Sequence, residues 1–273
     1  MPLLVLVKIG GFYAKLLNIV DKRNHSAEWQ EFLSESINSF KSKKIQISKN
    51  PNKFIQFYHP SKISAYRSKT IFTKEPDTIE WLNRNGGTNK ILFDIGANLG
   101  LYSVYYAKKF NGKVYSFEPS FKNLELLSRN IKLNSLQKNI FIIPNTVSKN
   151  SEIKRFLQND FTAGQAQATS QSILENNNNF YKETQNSIDY QVISFSLNNL
   201  ISNKLVENPD LIKIDVDGNE LEILEGFESL RNIKNISLMI ETRKETEQEV
   251  YQKLVMLGFK KISRRKDNSV WEK

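Results

Sequence analysis

The sequence predicts a doubly wound α/β fold with a mostly parallel sheet, preceded by an N-terminal extension of helical and irregular structure. From Ile91 onward, short apolar runs alternate with segments of helical periodicity. The first of these runs ends in a glycine turn, and the composition, with 39% hydrophobic and 25% charged residues, is ordinary for a globular protein. We expect the extension to cover residues 1–75 and the α/β domain to cover residues 76–273.

The predicted elements follow a helix that begins at Pro76 and ends at Gly86-Gly87. Apolar runs bounded by turn residues indicate strands, and apolar residues spaced three or four positions apart indicate helices. The polar segment 148–195 interrupts the alternation, and we interpret it as loop with a share of antiparallel strand. The strands are predicted at 90–94, 113–118, 139–143, 210–216 and 235–241, the helices at 99–110, 121–133, 220–230 and 245–257, and a closing strand pair at 259–263 and 269–272.

Positive charge is concentrated in the first third of the chain. Residues 1–90 contain 15 Lys and Arg against 7 Asp and Glu, whereas residues 91–273 contain 24 against 22. Such an excess is typical either of a solvated surface or of a face that meets an anionic partner. Within this part, residues 29–40 have the spacing of a short amphipathic helix.

The apolar segment 1–20 is interrupted by Lys8 and Lys15, so its uncharged run is too short for a bilayer span, which needs ~20 apolar residues. It also lacks the basic start and the cleavage site of a signal peptide, which predicts a cytoplasmic protein. We interpret the segment as a helix that docks on the domain. A loose contact with a membrane surface is the alternative.

The chain contains no cysteine and two histidines, His25 and His59. The absence of cysteine excludes disulfides, thiolate nucleophiles, iron–sulfur clusters and thiolate zinc sites. With two histidines, both before the predicted sheet, neither a Ser-His-Asp triad nor a three-histidine metal centre is expected. No ligand spacing indicates a dedicated metal site, and a divalent metal that bridges Asp215 and Glu241 stays open as an alternative.

The glycine turn after the first predicted strand is Asp94-Ile-Gly96-Ala-Asn98-Leu-Gly100. Gly96 permits a tight turn, and Gly100 permits close approach of the following helix to the sheet and a ligand. Free amides at the start of that helix favour an anionic group such as a carboxylate. The spacing is neither that of a phosphate-binding loop nor that of G-x-G-x-x-G, since Asn98 stands two positions after Gly96.

An acidic residue, Glu118, ends the second predicted strand about 20 residues past the glycine turn. A carboxylate at this place is positioned to accept hydrogen bonds from both hydroxyls of a ribose. Together, the turn and Glu118 predict a cofactor that contains a nucleoside. The glycine spacing disfavours an NAD-dependent oxidoreductase.

A charged cluster closes the fourth predicted strand in the run Lys213-Ile-Asp215-Val-Asp217-Gly-Asn-Glu220. The carboxyl ends of the strands line the ligand crevice of an open α/β sheet. Asp217 and Glu220 have an alternative role, because acidic residues there can cap the next helix. Asp215 is therefore the strongest candidate for the reacting edge of the crevice.

These motifs together resemble the FkbM family of methyltransferases, and the resemblance runs from about Arg67 to Glu241. The sequence departs from the family at Asp217, where members usually have Glu, which shortens the reach of that carboxylate. The resemblance implies a class I, Rossmann-like methyltransferase domain. The motifs that carry it are Lys74-Glu-Pro-Asp-Thr-Ile-Glu-Trp81, Asp94-Ile-Gly-Ala-Asn-Leu-Gly100, Phe117-Glu-Pro119, Asn134, Leu211-Ile-Lys-Ile-Asp-Val-Asp-Gly218 and Glu241.

The resemblance also implies S-adenosylmethionine as the cofactor. Asn145 and Thr146, which follow the third predicted strand, are then expected beside the adenine. The other residues expected to hold the cofactor are Asp94, Gly96, Asn98, Gly100 and Glu118.

The reaction implied by the family is methyl transfer to an oxygen of a hydroxylated acceptor, a carbohydrate or similar metabolite. Asp215 is the candidate that orients or deprotonates the hydroxyl, with Lys213 and Glu241 as further catalytic candidates. The basic extension adds the expectation of negative charge on a small-molecule or glycan acceptor.

Two alternatives stay open. The basic extension is compatible with a nucleic-acid methyltransferase, although no Asn-Pro-Pro-Tyr motif is present and we do not expect a nucleic acid as partner. The second alternative is a non-catalytic binding protein that keeps the fold.

Overall fold

The computed structural model describes residues 42–48, 50, 53–159, 162, 164–166, 168–172 and 187–273. The predicted amphipathic helix at 29–40 and the predicted docking segment at 1–20 lie outside these residues. The strands are β1 (Ser42–Gln46), β2 (Phe54–Tyr58), β3 (Ile91–Ile95), β4 (Lys113–Phe117), β5 (Ile140–Ile143), β6 (Thr146–Val147), β7 (Glu152–Gln158), β8 (Ala168–Ser172), β9 (Ile188–Phe195), β10 (Leu211–Ile214), β11 (Ser237–Glu241), β12 (Lys260–Arg265) and β13 (Asn268–Glu272). The helices are α1 (Lys62–Lys69), α2 (Pro76–Asn85), α3 (Leu101–Phe110), α4 (Phe121–Leu133), α5 (Leu197–Ser202), α6 (Glu220–Glu225) and α7 (Glu247–Met256).

The central sheet has seven strands in the order β12-β13-β11-β10-β3-β4-β5. Neighbours from β11 to β5 are parallel, and β13 runs antiparallel to both β11 and β12. The chain builds outward from β3 to β5 and then returns to place β10 on the other side of β3. This reversal creates a crevice at the carboxyl ends of the strands. The predicted doubly wound, mostly parallel sheet is confirmed.

Apolar side chains cover both faces of the sheet. Since successive residues of a strand point to opposite faces, Leu92 packs in one buried cluster and Phe93 in another. The first cluster includes Val104 of α3 and Leu126 of α4, and the second includes Leu254 of α7. Burial on both faces explains why the parallel strands are continuous apolar runs in the sequence.

The described part of the N-terminal extension contributes strands that the sequence analysis did not predict. β1 and β2 form a two-stranded sheet, and Phe57 of β2 is fully buried. The backbone amide of Tyr58 donates to Asn130 Oδ1 at 2.8 Å, and the backbone amide of Gln56 donates to Asn134 Oδ1 at 2.8 Å. Asn130 of α4 and Asn134 at the C-terminus of this helix thus fix β2 against α4. The domain boundary between residues 75 and 76 stays a prediction.

The interruption at 148–195 is largely strand where the structure describes it. β6, β9, β7 and β8 form a second sheet, in which β7 is antiparallel to both β8 and β9. The buried Lys154 of β7 contacts Glu222 Oε2 of α6 at 2.5 Å, and Ser148 donates to the same oxygen at 2.6 Å. These contacts fix the second sheet to the helix that follows β10, beside the crevice.

The helix predicted at 220–230 is wrong in its extent. α6 ends at Glu225, and residues Glu228–Asn232 form a separate 3-10 helix. The break occurs at Gly226, where a Cβ atom would lie 2.2 Å from the backbone oxygen of Ser148. The Gly226 carbonyl accepts the backbone amide of Asn198, so the chain must leave the helical path there. Among the described helices, none is long and apolar enough to cross a membrane.

Candidate active site

A cleft of about 230 Å³ lies at the carboxyl ends of β3, β4, β10 and β11, where the strand order reverses. Seven of the ten site residues predicted from the sequence line it. Asp94, Gly100 and Lys213 do not line it. The seven that do are Gly96, Asn98, Glu118, Asn145, Thr146, Asp215 and Glu241.

The glycine turn requires glycine at two positions. Gly96 has φ +83°, and a Cβ atom there would lie 2.0 Å from the backbone oxygen of Asp215. Gly100 has φ +84°, and its Cβ would lie 2.4 Å from Leu127 Cδ1 of α4. Left-handed backbone with so little space excludes any side chain. Gly96 therefore shapes the floor of the cleft, whereas Gly100 serves the packing of α4.

Asp94 lies behind the turn, 1% exposed. Its Oδ2 accepts the hydroxyl of Ser103 at 2.5 Å, and its Oδ1 has no hydrogen-bond partner among the described residues. Burial raises the pKa of Asp94, and the nearby positive charge of Lys213 partly offsets this. The predicted contact of Asp94 with a cofactor stays a prediction.

Glu118 is 5% exposed and is held by backbone amides. Asn98 N donates to its Oε2 at 2.7 Å, and Ser120 N donates to its Oε1 at 2.9 Å. Burial raises the pKa of Glu118 to about 7, against the effect of these hydrogen bonds. Each carboxylate oxygen has a second lone pair, so Glu118 can still accept from a ligand in the cleft.

The second sheet closes part of the cleft through asparagine side chains. The side-chain amides of Asn98 and Asn123 donate to Gln165 O at 3.1 and 3.2 Å. The Asn219 side chain donates to Ser170 Oγ at 2.8 Å. None of Asn123, Gln165, Ser170 and Asn219 was predicted as a site residue. Gln165 and Ser170 belong to a polar insertion without a motif, which gives no signal for its place in the fold. Asn123 and Asn219 lie in α4 and before α6, and their role depends on contacts with that insertion.

Lys213 is a buried cation behind the cleft, 3% exposed. Its Nζ lies 2.6 Å from Asp215 Oδ2. Burial lowers the pKa of Lys213, but the charges of three neighbouring carboxylates outweigh this effect and leave the pKa raised. Lys213 is therefore a fixed positive charge. The three carboxylates are Asp215, Asp94 and Glu75.

Asp215 and Glu241 form a hydrogen-bonded carboxyl pair at the cleft. Burial raises the pKa of Asp215, but Lys213 and the hydrogen bond from Glu241 lower it well below its usual range. The hydrogen bond to Asp215, together with its negative charge, raises the pKa of Glu241. The pair therefore holds one proton, which resides on Glu241 and is donated to Asp215.

Two further lining residues come from the segment before β3. Arg67 of α1 lines the cleft, and its Nε is buried with no hydrogen-bond partner among the residues that the structure describes. Glu75 also lines the cleft, and its Oε2 accepts the hydroxyl of Tyr102 at 2.7 Å. The sequence analysis gave neither residue a role, although Glu75 lies within the motif that begins at Lys74.

The cleft fits a cofactor that contains a ribose and an amino acid group. Carboxylates occur on both sides of the floor, Glu118 after β4 and Asp215 after β10, and the unpartnered Nε of Arg67 complements an anionic group. The glycine at position 96 keeps the floor between them open. Within the described residues, no group of three or more histidines and carboxylates is arranged to hold a metal ion.

Comparisons with known proteins agree on the kind of enzyme. A family model for the methyltransferase FkbM domain matches residues 94–261. The methyltransferase sdnD of Sordaria araneosa is 28% identical over 207 residues, which cover 66% of this chain and 77% of that protein.

Two solved structures are similar to this chain at low sequence identity. One is methyltransferase FkbM from Methylobacillus flagellatus KT, at 13% identity and a TM-score of 0.46 over 77% of this chain. This chain spans 55% of that protein. The other is Aeropyrum pernix fibrillarin with natively bound S-adenosyl-L-methionine, at 12% identity and a TM-score of 0.44, covering 74% of this chain and 75% of that one.

The region matched by the family model is more than half of the chain. It begins at Asp94 and contains the glycine turn, Glu118 and the Asp215–Glu241 pair. The resemblance seen in the sequence is thereby confirmed, and with it S-adenosylmethionine as the cofactor. The chain belongs to the FkbM family of methyltransferases.

Proposed function

We propose that this methyltransferase methylates an oxygen of a small hydroxylated acceptor, a carbohydrate or similar metabolite. The observation that supports this proposal is the Asp215–Glu241 pair at the cleft. An alcohol both donates and accepts a hydrogen bond, and the pair offers an ionised acceptor beside a protonated donor. Neither histidine nor cysteine is needed for such an arrangement.

We assign the adenosine part of the cofactor to the part of the cleft at β4 and β5. Glu118 accepts the ribose hydroxyls, and Asn145 and Thr146 border the adenine. Gly96 and Asn98 form the backbone turn on which the cofactor lies. Asp94 and Gly100 support this turn from behind, where the structure buries them.

When bound, S-adenosylmethionine supplies a methyl group bonded to a positively charged sulfur. The protein then has to align the acceptor oxygen, exclude water and receive the hydroxyl proton. In our proposal Asp215 accepts that proton and Lys213 keeps it ionised beforehand. Because its pKa lies well below the usual range, Asp215 is a weak base at rest. It first orients the hydroxyl and then accepts its proton as the methyl group is transferred, when the hydroxyl becomes acidic. Glu241 fixes Asp215 by donating its proton to it.

The lining of the cleft supports an uncharged acceptor better than an anionic one. Among the described lining residues, two cations face five carboxyl groups, of which Glu241 holds a proton and Glu118 has a pKa raised to about 7. A negatively charged acceptor would meet net repulsion there, whatever the charge of the N-terminal extension. The cations are Arg67 and Lys74, and the carboxylates are Glu75, Glu118, Asp215, Asp217 and Glu241.

The test is to incubate the protein with S-adenosylmethionine labelled in its methyl carbon. One arm supplies a small-molecule cell extract and the other supplies total RNA and DNA. We expect the label in the small-molecule arm, with the carbon chemical shift of a methyl ether. Label only in nucleic acid, or only on nitrogen, contradicts the proposal. Binding of S-adenosylhomocysteine without labelling of any fraction supports the non-catalytic alternative.

A further inference from the structure

A second cavity, of about 280 Å³, adjoins the cofactor cleft. The two cavities share Val216, Asp217 and Glu241 as lining residues. The second cavity lies at the carboxyl ends of β10 and β11, and Asp267 of the turn between β12 and β13 forms part of its wall. Eight of its nine lining residues are polar or charged, and Val216 is the exception.

Glu220 gives this cavity a buried acceptor that the described residues leave unused. The residue is 1% exposed and lines the cavity. Its Oε1 accepts the backbone amide of Gly218 at 3.1 Å, whereas its Oε2 has no partner among the described residues. Buried polar atoms in folded proteins are nearly always hydrogen-bonded. A ligand hydroxyl in the cavity is a suitable partner for this oxygen.

Arg243 supplies hydrogen-bond donors to the same cavity. Its guanidinium lies over Gly218, where Nη1 is 3.3 Å from the position that a Cβ would take. Its Nη2 is 3.8 Å from Asp217 Oδ1, an ion pair that is longer than a hydrogen bond. A guanidinium has five N–H donors in a planar fork, so this contact leaves most of them for a ligand.

The position of Glu241 connects the two cavities. Glu241 lines both, and the same carboxyl group is hydrogen-bonded to Asp215. A molecule in the second cavity thus lies against the carboxyl pair from the side away from the adenosine part of the cleft. A third cavity, beside Lys213 and Arg67, has a volume of about 30 Å³. That volume is far below that of a small-molecule site, which excludes it as an acceptor site.

We propose that the second cavity is the acceptor site and binds a neutral, polyhydroxylated ring such as a monosaccharide, with Glu220 and Arg243 as specificity-determining residues. This inference rests on the proposed oxygen methylation. Carboxyl and guanidinium groups that line one cavity are suited to the alternating donors and acceptors of neighbouring hydroxyls. Among the residues that the structure describes, the lining holds no aromatic side chain on which a nucleobase would stack.

The charges of the residues that line the second cavity are compatible with a neutral ligand. Burial raises the pKa of Glu220 to about 7, and Asp215 raises the pKa of Glu241. Near neutral pH the five carboxyl groups therefore carry less negative charge than their number suggests, and two cations, Arg243 and Lys244, oppose it. Neither a strong anion nor a strong cation is favoured in such a site.

The first experiment measures methyl transfer to a small-molecule extract at a series of dilutions. We expect Arg243→Ala and Glu220→Gln to need about tenfold more extract for half-maximal rate, with unchanged S-adenosylhomocysteine affinity by calorimetry. Arg265→Ala and Glu249→Gln are matched controls outside the cavity, and both should behave as the wild type. Arg243→Ala alters an exposed side chain, so this variant is expected to fold. If it reaches half-maximal rate at the same extract concentration as the wild type, the proposal is overturned.

The second experiment tests the class of ligand without knowing its identity. The extract component that accepts the methyl group should pass unbound through both an anion and a cation exchanger. Periodate should destroy this component, because periodate cleaves the bond between two neighbouring carbons that carry hydroxyls. Retention on either exchanger, or resistance to periodate, overturns the proposal.

A third readout does not depend on turnover. Saturation-transfer NMR on the protein with S-adenosylhomocysteine should show signals from the neutral extract fraction, and Arg243→Ala should lose them while Arg265→Ala keeps them. Absence of these signals in the wild type overturns the acceptor site. If the signals behave as expected but the methyl label is found on nitrogen, the site stands and the proposed oxygen methylation fails.

Discussion

The cleft has two ends, one at β4 with the carboxylate of Glu118 and one at β10 with the carboxylate of Asp215, and it holds these carboxylates in different ways. Glu118 is held by the backbone amides of Asn98 and Ser120, whereas Asp215 is held by the charge of Lys213 and the proton of Glu241. Backbone amides do not titrate, so they hold the Glu118 carboxyl group in one orientation without supplying a proton. Asp215 is hydrogen-bonded to the carboxyl group of Glu241, so that end can take part in proton movement. In our proposal one end therefore binds the cofactor and the other serves the chemistry.

The largest effect on cofactor binding is expected at Gly96, between the two ends of the cleft. Gly96→Val places a side chain 2.0 Å from the backbone oxygen of Asp215 at a φ of +83°. We expect loss of S-adenosylhomocysteine binding in calorimetry and a lower unfolding midpoint. Gly87→Ala is the matched control, because its Cβ would meet only Lys90 at 3.6 Å. Wild-type affinity in Gly96→Val contradicts the close approach of the turn to β10.

Asp215→Asn alters only the end of the cleft at β10. The amide cannot accept the hydroxyl proton, so we expect turnover to fall at least ~10²-fold, while cofactor affinity stays near that of the wild type. Without the negative charge and the hydrogen bond of Asp215, the pKa of Glu241 should fall toward its ordinary range. Carbon NMR of labelled glutamate carboxyls measures this shift. Near-normal turnover in the variant removes Asp215 from the mechanism.

Glu118→Ala alters only the end of the cleft at β4. Loss of the acceptor for the ribose hydroxyls should weaken cofactor binding by about 1–3 kcal/mol, the range for hydrogen bonds to a charged group. The measurement is calorimetric titration with S-adenosylhomocysteine. Glu125→Ala, on the exposed part of α4, is a control that should not change the affinity. An unchanged dissociation constant in Glu118→Ala shows that the ribose is held elsewhere.

A smaller effect concerns stability without cofactor. The pKa of Glu118 is raised from 4.5 to about 7, so the native state keeps a proton that the unfolded chain has lost. Stability should therefore fall as pH rises from about 4.5 to about 7. Glu118→Gln cannot titrate, so its urea-unfolding free energy should fall less over this interval than that of the wild type. Parallel pH profiles of the two proteins contradict the raised pKa.

The parts of the site that follow strands of the parallel sheet were predictable from the sequence. Gly96, Glu118 and Asp215 each follow an apolar run, and the carboxyl ends of parallel strands meet at one edge. The mostly parallel, doubly wound character of the sheet followed from the same alternation of strands and helices. A local pattern suffices here because the fold class fixes where each strand ends.

The parts contributed by other segments were not predictable. Arg67 precedes the sheet, and Gln165 and Ser170 belong to the insertion, whose pairing into a second sheet depends on contacts distant in sequence. The shared proton of Asp215 and Glu241 depends on the spacing of two strands and on a buried lysine. The break in the helix at Gly226 has the same kind of cause, a tertiary contact with Ser148.

The most direct test of the division between the two ends is one paired experiment on Glu118→Ala and Asp215→Asn. Calorimetry gives the dissociation constant of S-adenosylhomocysteine, and single-turnover methyl transfer to the small-molecule extract gives the rate at saturating cofactor. We predict a weaker dissociation constant with a rate near that of the wild type for Glu118→Ala. For Asp215→Asn we predict an unchanged dissociation constant with a rate at least ~10²-fold lower. Equal effects of both variants on both quantities would contradict the division of binding and chemistry between the two carboxylates.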